Sequence, residues 1–209
     1  KVYVKIFNPD KLEKGTYVLN ENMGVKKIIE TLENGGKTET TSFVIPEGKH
    51  IIDVADYISE VTDHTSEELL NYWENEEVID KLIEKYWFIT DEVKNENLRY
   101  NLEGYFFPAT YEIYPNSTIE EITYKMLDKM DEVLSKYKNG IENSDYTVHE
   151  LLTLASIVEH EAILDEDRPM IAQVFYNRLN RGIKLESCAT IGYAINEWKL
   201  TYTSADLAV

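Results

Sequence analysis

The segment from Thr147 to Ala162 constrains the fold of this chain more than any other part of the sequence. Thr147 and Glu150 form the Thr-x-x-Glu pattern of a capping box, which marks the start of a helix. Beyond it, apolar residues recur at the spacing of one helical face: Leu151, Leu154, Ala155, Val158 and Ala162. The pattern therefore predicts a helix with one buried face, so the chain must supply a core for it.

This predicted helix ends in a polar group of residues, Glu159, His160 and Glu161. Glu159 lies about 100° around the helix from Val158, at the edge of the apolar stripe. Burial at such an edge raises the pKa of a carboxyl, and a raised pKa suits a general acid at neutral pH. Glu161 projects roughly 200° away from Glu159, so the two cannot share one site. From the pattern alone, a solvated surface glutamate remains the alternative interpretation of Glu159.

The rest of the chain alternates between predicted strands and helices before it becomes mainly helical. Strands are predicted over residues 1–7, 14–19 and 40–45, and helices over 25–32, 50–58, 66–75 and 77–86. Residues 87–100 are polar and predict a link. Behind an aromatic stretch, helices are predicted over 119–137, 147–162 and from Pro169 to a stop at Gly182. We expect an α+β fold, with a small α/β unit followed by a mainly helical part.

The charge of the chain argues against a nucleic-acid partner. The net charge is −18, and the lysines and arginines do not cluster as a phosphate-binding surface requires. The sequence has no apolar run of about 18 residues, so neither a membrane span nor a signal peptide is predicted within it. It begins at Lys1 rather than at a methionine, and we therefore expect a fragment of a longer protein.

Several other kinds of catalytic site lack support in the sequence. His149 and His160 do not have the spacing of zinc ligands on a helix, so we expect no metal. Cys188 has no histidine close in sequence, Ser156 does not stand in a nucleophile elbow, and no glycine-rich phosphate loop is present. The aromatic residues over 105–111 either pack in a core or offer flat faces to sugar rings.

Three segments of the sequence occur in a characteristic order: Leu102–Tyr111 (LEGYFFPATY), Ala155–Glu161 (ASIVEHE) and Val174–Leu179 (VFYNRL). Together with the turn Gly182–Ser187, their order and spacing resemble the YceG-like family, the endolytic murein transglycosylases. The first part of the chain, with Lys14-Gly15-Thr16-Tyr17 and Pro46-Glu47-Gly48, is similar to the LysM-like subdomain of that family. The resemblance covers nearly the whole chain.

The resemblance implies an enzyme that cleaves the β-1,4 bond between N-acetylmuramic acid and N-acetylglucosamine within peptidoglycan strands. It implies that Glu159 is the catalytic residue, which protonates the leaving oxygen and then accepts the proton of the C6 hydroxyl. That hydroxyl is the nucleophile and leaves a 1,6-anhydro end, so no second carboxylate and no cofactor are needed. The implied cleft residues, which bind sugar or orient Glu159, are Glu103, Tyr105, Tyr111, Asn177 and Arg178, supported by Ser156 and Glu161.

The resemblance also implies the domain organisation and the location of the protein. A LysM-like subdomain with a helical connection is expected over residues 1–95, and a catalytic domain over 96–209. Cys188-Ala189 replaces an Asp-Pro pair of the family, and the chain stops at Val209 inside a stretch that continues in the family. We expect a truncated extracytoplasmic fragment whose membrane anchor lies outside it. Peptidoglycan strands are its expected partner, with cell-wall synthesis proteins as further candidates.

Two other functions remain open at this point. A non-catalytic peptidoglycan-binding module would use the LysM-like unit and the aromatic stretch, and Glu159 would be incidental. A cytosolic lyase would need pyridoxal phosphate on a lysine, and Lys184 is the only lysine near the three segments.

Overall fold

The protein is helical apart from one short pair of strands, within the part of the chain that the structure describes. The structure is a computed structural model and describes residues 12, 17, 19, 23–34, 40–197, 199, 201–203 and 206. The helices are α1 Val25–Glu33, α2 Ile51–Ser59, α3 Ser66–Trp73, α4 Glu76–Lys85, α5 Ile119–Leu134, α6 Lys138–Glu142, α7 Val148–Glu161, α8 Arg168–Asn180 and α9 Cys188–Ile195. The strands are β1 Thr41–Val44 and β2 Thr110–Ile113. The α+β class is confirmed, whereas the strands predicted over 1–7 and 14–19 fall almost entirely outside the described residues.

Threonine–glutamate capping boxes start three of the described helices, which explains why these starts can be predicted from the sequence. The pairs are Thr65 with Glu68 at α3, Thr118 with Glu121 at α5, and Thr147 with Glu150 at α7. In each pair the threonine hydroxyl accepts the glutamate N–H, and the glutamate carboxylate accepts the threonine N–H, so two end groups are satisfied. The predicted starts at Thr65 and Thr147 are confirmed.

The strand pair joins two distant parts of the sequence. β1 and β2 run antiparallel with Phe43 opposite Tyr111, and their rings stack with centroids 5.4 Å apart. Tyr111 and Ile113 are buried and Thr110 and Glu112 are exposed, the alternation of a strand with one covered face. β2 was not predicted, because only four residues alternate within a stretch dominated by aromatic, glycine and proline signals.

The larger hydrophobic core lies on both sides of the predicted domain boundary at 95/96. It contains buried residues from Phe43 to Met130, and its fully buried Trp73 donates through Nε1 to Thr123 Oγ1 at 2.9 Å. The prediction of a polar link over 87–100 is wrong, because this segment inserts three buried apolar side chains into the core: Phe88, Ile89 and Val93. The larger core thus contains residues from both sides of the predicted division into 1–95 and 96–209.

A smaller core packs α7 against α8. Its buried residues are Leu154, Ile157, Val158 and Phe175. The predicted stripe of α7 is right for Leu154 and Val158 but wrong for Ala155, which is exposed, since the buried face turns toward Ile157. Helix α8 ends before Gly182 as predicted, and this glycine takes the left-handed conformation with φ 63°.

Helices α6 and α9 were not predicted from the sequence. In the described part of the chain, no helix has the length and apolar character needed to cross a membrane.

Candidate active site

Glu159 lies in the last turn of α7, and its side chain is half-buried. The packing of α7 against α8 holds this turn in place. Burial raises the pKa of the Glu159 carboxyl above its usual value, the nearby charge of Glu47 raises it further, and the charge of Arg168 lowers it. Glu159 therefore retains its proton at higher pH than an exposed glutamate does, which is what a general acid requires.

The two charged neighbours of Glu159 come from distant parts of the sequence. Glu47 is exposed and lies in the loop over residues 45–50, between β1 and α2. Arg168 is the first residue of α8, and its Nη2 lies 3.1 Å from Asp165. The sequence analysis named neither as a site residue. Glu47 stood in the quoted Pro-Glu-Gly motif, but no spacing rule shows that residues 47, 159 and 168 meet.

Glu103, predicted as a cleft residue, has protein partners at both carboxylate oxygens. Its Oε1 accepts the N–H of Ile51 at 3.0 Å, at the start of α2. Its Oε2 accepts the hydroxyl of Tyr193 at 3.4 Å and lies 3.8 Å from Nδ1 of His50. Burial raises the pKa of Glu103, and the nearby His50 and these hydrogen bonds lower it. Glu103 thus anchors α9 and the end of the loop that carries Glu47.

Arg99 strengthens the anchor of α9. Its guanidinium lies over the ring of Tyr193, 4.8 Å from the centroid, and its Nη2 donates to the carbonyl of Ala194 at 2.9 Å. The ring of Tyr193 also lies 5.4 Å from that of His50, centroid to centroid. Helix α9 is therefore held by the same residues that position the 45–50 loop.

Glu161 is bonded to the start of α9 and is not among the charges that act on Glu159, in agreement with the angular separation of the two residues on the helix. Its Oε1 accepts the hydroxyl of the buried Ser187 at 2.5 Å, at the start of α9. Arg178, predicted to contact sugar, closes the turn before Ser187, and its Nη1 donates to Lys184 O, Leu185 O and Glu186 Oε2. Glu186 has a left-handed φ of 52°, which side chains other than glycine rarely adopt, so this turn needs such support. Glu161 and Arg178 thus belong to one structural network.

Tyr105 and Tyr111 lie in the larger core. Tyr105 is 1% exposed and its hydroxyl lies 3.0 Å from Nδ1 of His149. Tyr111 is 3% exposed, its hydroxyl donates to the carbonyl of Phe107 at 2.5 Å, and burial raises its pKa to about 12. With no ring face open, these two tyrosines fit the packing interpretation better than the sugar-stacking one.

Asn177 and Ser156 are exposed. The Oδ1 of Asn177 accepts Nε2 of Gln173 at 3.2 Å along α8, and the hydroxyl of Ser156 donates to the carbonyl of Thr153 at 2.8 Å. Asn177 therefore keeps an exposed amide on the helix that begins with Arg168. Among the described residues, no group of three His, Cys, Asp or Glu side chains is placed to hold a metal ion.

Comparison with known proteins adds to this geometry. The model of the YceG-like family matches residues 1–209. An endolytic murein transglycosylase of Streptococcus pneumoniae is 38% identical over 204 residues, which cover 92% of this chain and 37% of the relative. An endolytic murein transglycosylase of Bacillus subtilis is 32% identical over 209 residues, 99% of this chain and 58% of the relative. The chain thus spans only part of the length of these curated relatives.

A solved structure is similar over the entire chain. The crystal structure of a yceG-like protein from Listeria monocytogenes has 34% sequence identity and a TM-score of 0.76. The match covers 100% of this chain and 69% of that protein.

Proposed function

Because this chain belongs to the YceG-like family, we propose that it cleaves peptidoglycan strands as an endolytic lytic transglycosylase. The relatives named as endolytic murein transglycosylases support this activity. The observation that carries the proposal is the half-buried Glu159, whose pKa is raised by burial. The bond cleaved is the β-1,4 bond between N-acetylmuramic acid and N-acetylglucosamine.

The proposed mechanism uses Glu159 twice. Its carboxyl first protonates the glycosidic oxygen, and the bond between that oxygen and the anomeric carbon breaks. The C6 hydroxyl of N-acetylmuramic acid then attacks the anomeric carbon and gives its proton to the Glu159 carboxylate, which forms the 1,6-anhydro end. One residue thus serves as acid and base, and the second carboxylate of a hydrolysing glycosidase has no required role.

We propose two kinds of role for the other site residues: some contact sugar, and some hold the loops and helix turns of the site in position. We propose that Asn177, with its exposed amide, contacts sugar. Glu103 and Arg178 are proposed to hold the 45–50 loop and the turn before Ser187 in position, since their polar atoms already have protein partners. Ser156 and Glu161 are proposed to support the last turns of α7.

The proposal is tested by the substitution Glu159→Gln in the enzyme incubated with purified sacculi. We expect the release of anhydro-muropeptides, measured by liquid chromatography and mass spectrometry, to fall at least about a hundredfold, the usual contribution of a general acid. Glu161→Gln is the matched control, and it should retain most of the activity because Glu161 is bonded to Ser187. Undiminished release by Glu159→Gln, or an equal loss in both variants, would contradict the assignment.

We also propose that the N-terminal part is a LysM-like subdomain that binds glycan, and that the protein acts at the extracytoplasmic face of the membrane. The order of α1, β1 and α2 agrees with the elements expected there. A non-catalytic peptidoglycan-binding module is the alternative. Sedimentation of the protein with sacculi separates the two functions, since binding without anhydro products would favour the module.

A further inference from the structure

The guanidinium of Arg168 has a polar partner on one edge and none at Nε. Its Nη2 pairs with the exposed Asp165 at 3.1 Å, at the surface of the protein. Its Nε is buried and has no hydrogen-bond partner. Buried N–H groups of folded proteins are almost always paired, so the unpaired Nε of Arg168 is a candidate donor to a group that becomes a stronger acceptor during the reaction.

Glu159 is the acceptor that the packing offers. Arg168 begins α8, which packs against α7 through Phe175, and Glu159 lies in the last turn of α7. The charge of Arg168 lowers the pKa of the Glu159 carboxyl, so the guanidinium lies within electrostatic range of that group.

Other charged groups near this turn are less suited to the buried Nε. Glu161 is bonded to Ser187, and Asp165 takes the outer edge of the guanidinium. Glu47, which faces Glu159 from the 45–50 loop, is exposed, and His160 on α7 is exposed and carries no acceptor when it is protonated. A half-buried carboxylate matches a buried donor best.

We propose that Arg168 is a positioning residue, whose Nε–H donates to the Glu159 carboxylate once Glu159 has given its proton to the glycosidic oxygen. This inference rests on the proposed function. Before the reaction the neutral carboxyl of Glu159 is a weaker acceptor than its carboxylate, and Nε has no hydrogen-bond partner. The departure of the proton creates a strong acceptor and a charge-assisted hydrogen bond. When the C6 hydroxyl returns a proton to Glu159, this hydrogen bond weakens again, so Arg168 favours the transfer of the proton from Glu159 to the glycosidic oxygen.

The test compares Arg168→Gln with Arg181→Gln, which changes an exposed arginine at the other end of α8. In Arg168→Gln we expect the pKa of Glu159 to rise, because the stabilising charge is lost. The alkaline limb of the pH profile of kcat/KM then moves to higher pH. Its kcat should fall about tenfold or more with KM little changed, since the interaction forms only during the reaction. Arg181→Gln should change neither quantity.

Two further measurements complete the test. In Arg168→Lys, which keeps the charge but lacks the planar Nε–H, the pKa of Glu159 should stay near that of the wild type while kcat falls severalfold. Titration of the Glu159 carboxyl by ¹³C NMR, assigned with Glu159→Gln, needs no substrate. If the wild type cleaved no glycan, the proposed function would fail while this titration would still report on Arg168. An unchanged pKa in Arg168→Gln, a rise in KM alone, or full kcat in Arg168→Lys would overturn the inference.

Discussion

At the scale of single residues, Glu159 lies between charges of opposite sign. Burial has the largest effect on the pKa of Glu159 and favours the protonated carboxyl; Glu47 adds to this effect, and Arg168 favours the carboxylate. The role proposed for Glu159, which donates a proton and then accepts one, uses both protonation states, and these charges act on the pKa in opposite directions.

Glu47 provides a test of this balance. In Glu47→Gln a like charge is removed, so we expect the pKa of Glu159 to fall. The acid is then protonated over a narrower range, and the alkaline limb of the kcat/KM profile moves to lower pH, opposite to the shift in Arg168→Gln. The measurement is the pH dependence of anhydro-muropeptide release, with the exposed Glu60→Gln as a control on α2. A shift to higher pH would contradict the stated role of Glu47.

The sequence predicts Glu159 but not its neighbours. The helical period places Glu159 at an apolar edge, and the resemblance to a family singles it out. The effects of Glu47 and Arg168 depend on tertiary contacts, and a single sequence carries no signal for such contacts between distant positions. For the same reason Tyr105 and Tyr111 were predicted at the cleft although their rings are buried in the core.

At the scale of helices and strands, an element can be predicted from the sequence when its own residues mark where it begins and ends. Helix α7 begins at a capping box, and both its start and its length agree with the sequence pattern. The 3₁₀ turn Asp91–Lys94 and β2 are short, and both are stabilised by packing in the core rather than by their own sequence. Short elements of this kind are determined by tertiary context, so their sequences alone predict a link or a loop.

The cap of α7 gives a prediction for stability. Thr147→Ala removes the acceptor of the Glu150 N–H and the donor to Glu92 Oε1, which lies 3.0 Å from the threonine hydroxyl. We expect the free energy of unfolding, measured in urea, to fall by about 1 kcal/mol, with a range of 0.5–2. Thr153→Ala in the middle of α7 is the matched control and should have little effect, since alanine is the better helix former. An equal loss in both variants would show that the cap is not the cause.

At the scale of the whole molecule, the larger core depends on both parts of the chain. Trp73 bonds to Thr123, β1 pairs with β2, and Glu103 accepts the first N–H of α2. These contacts all cross the boundary predicted at 95/96. The alternation of predicted elements is enough to predict the class of the fold. It does not predict which residues share the core, because the mainly polar composition of 87–100 gives no sign of the buried side chains in this segment.

We therefore predict that fragments 1–95 and 96–209, produced separately, do not fold independently. Each would expose apolar surface that the other covers in the intact chain, and neither contains both strands. Two-dimensional ¹H–¹⁵N NMR spectra of the fragments should show poor dispersion, whereas the intact chain serves as the folded reference. A well-dispersed spectrum from either fragment alone would contradict this account of the core.

The strand pair also has a consequence for the order of events during folding. Residues 45–109 lie between β1 and β2, so the pairing of these two strands closes a long loop. The chain loses conformational entropy on closure before the contacts between the strands stabilise it. Such non-local contacts slow folding, and the exposed edge of an unpaired strand favours association with other chains. On the ribosome, β1 emerges well before its partner has been synthesised. We expect this protein to be most prone to aggregation while its chain is still incomplete.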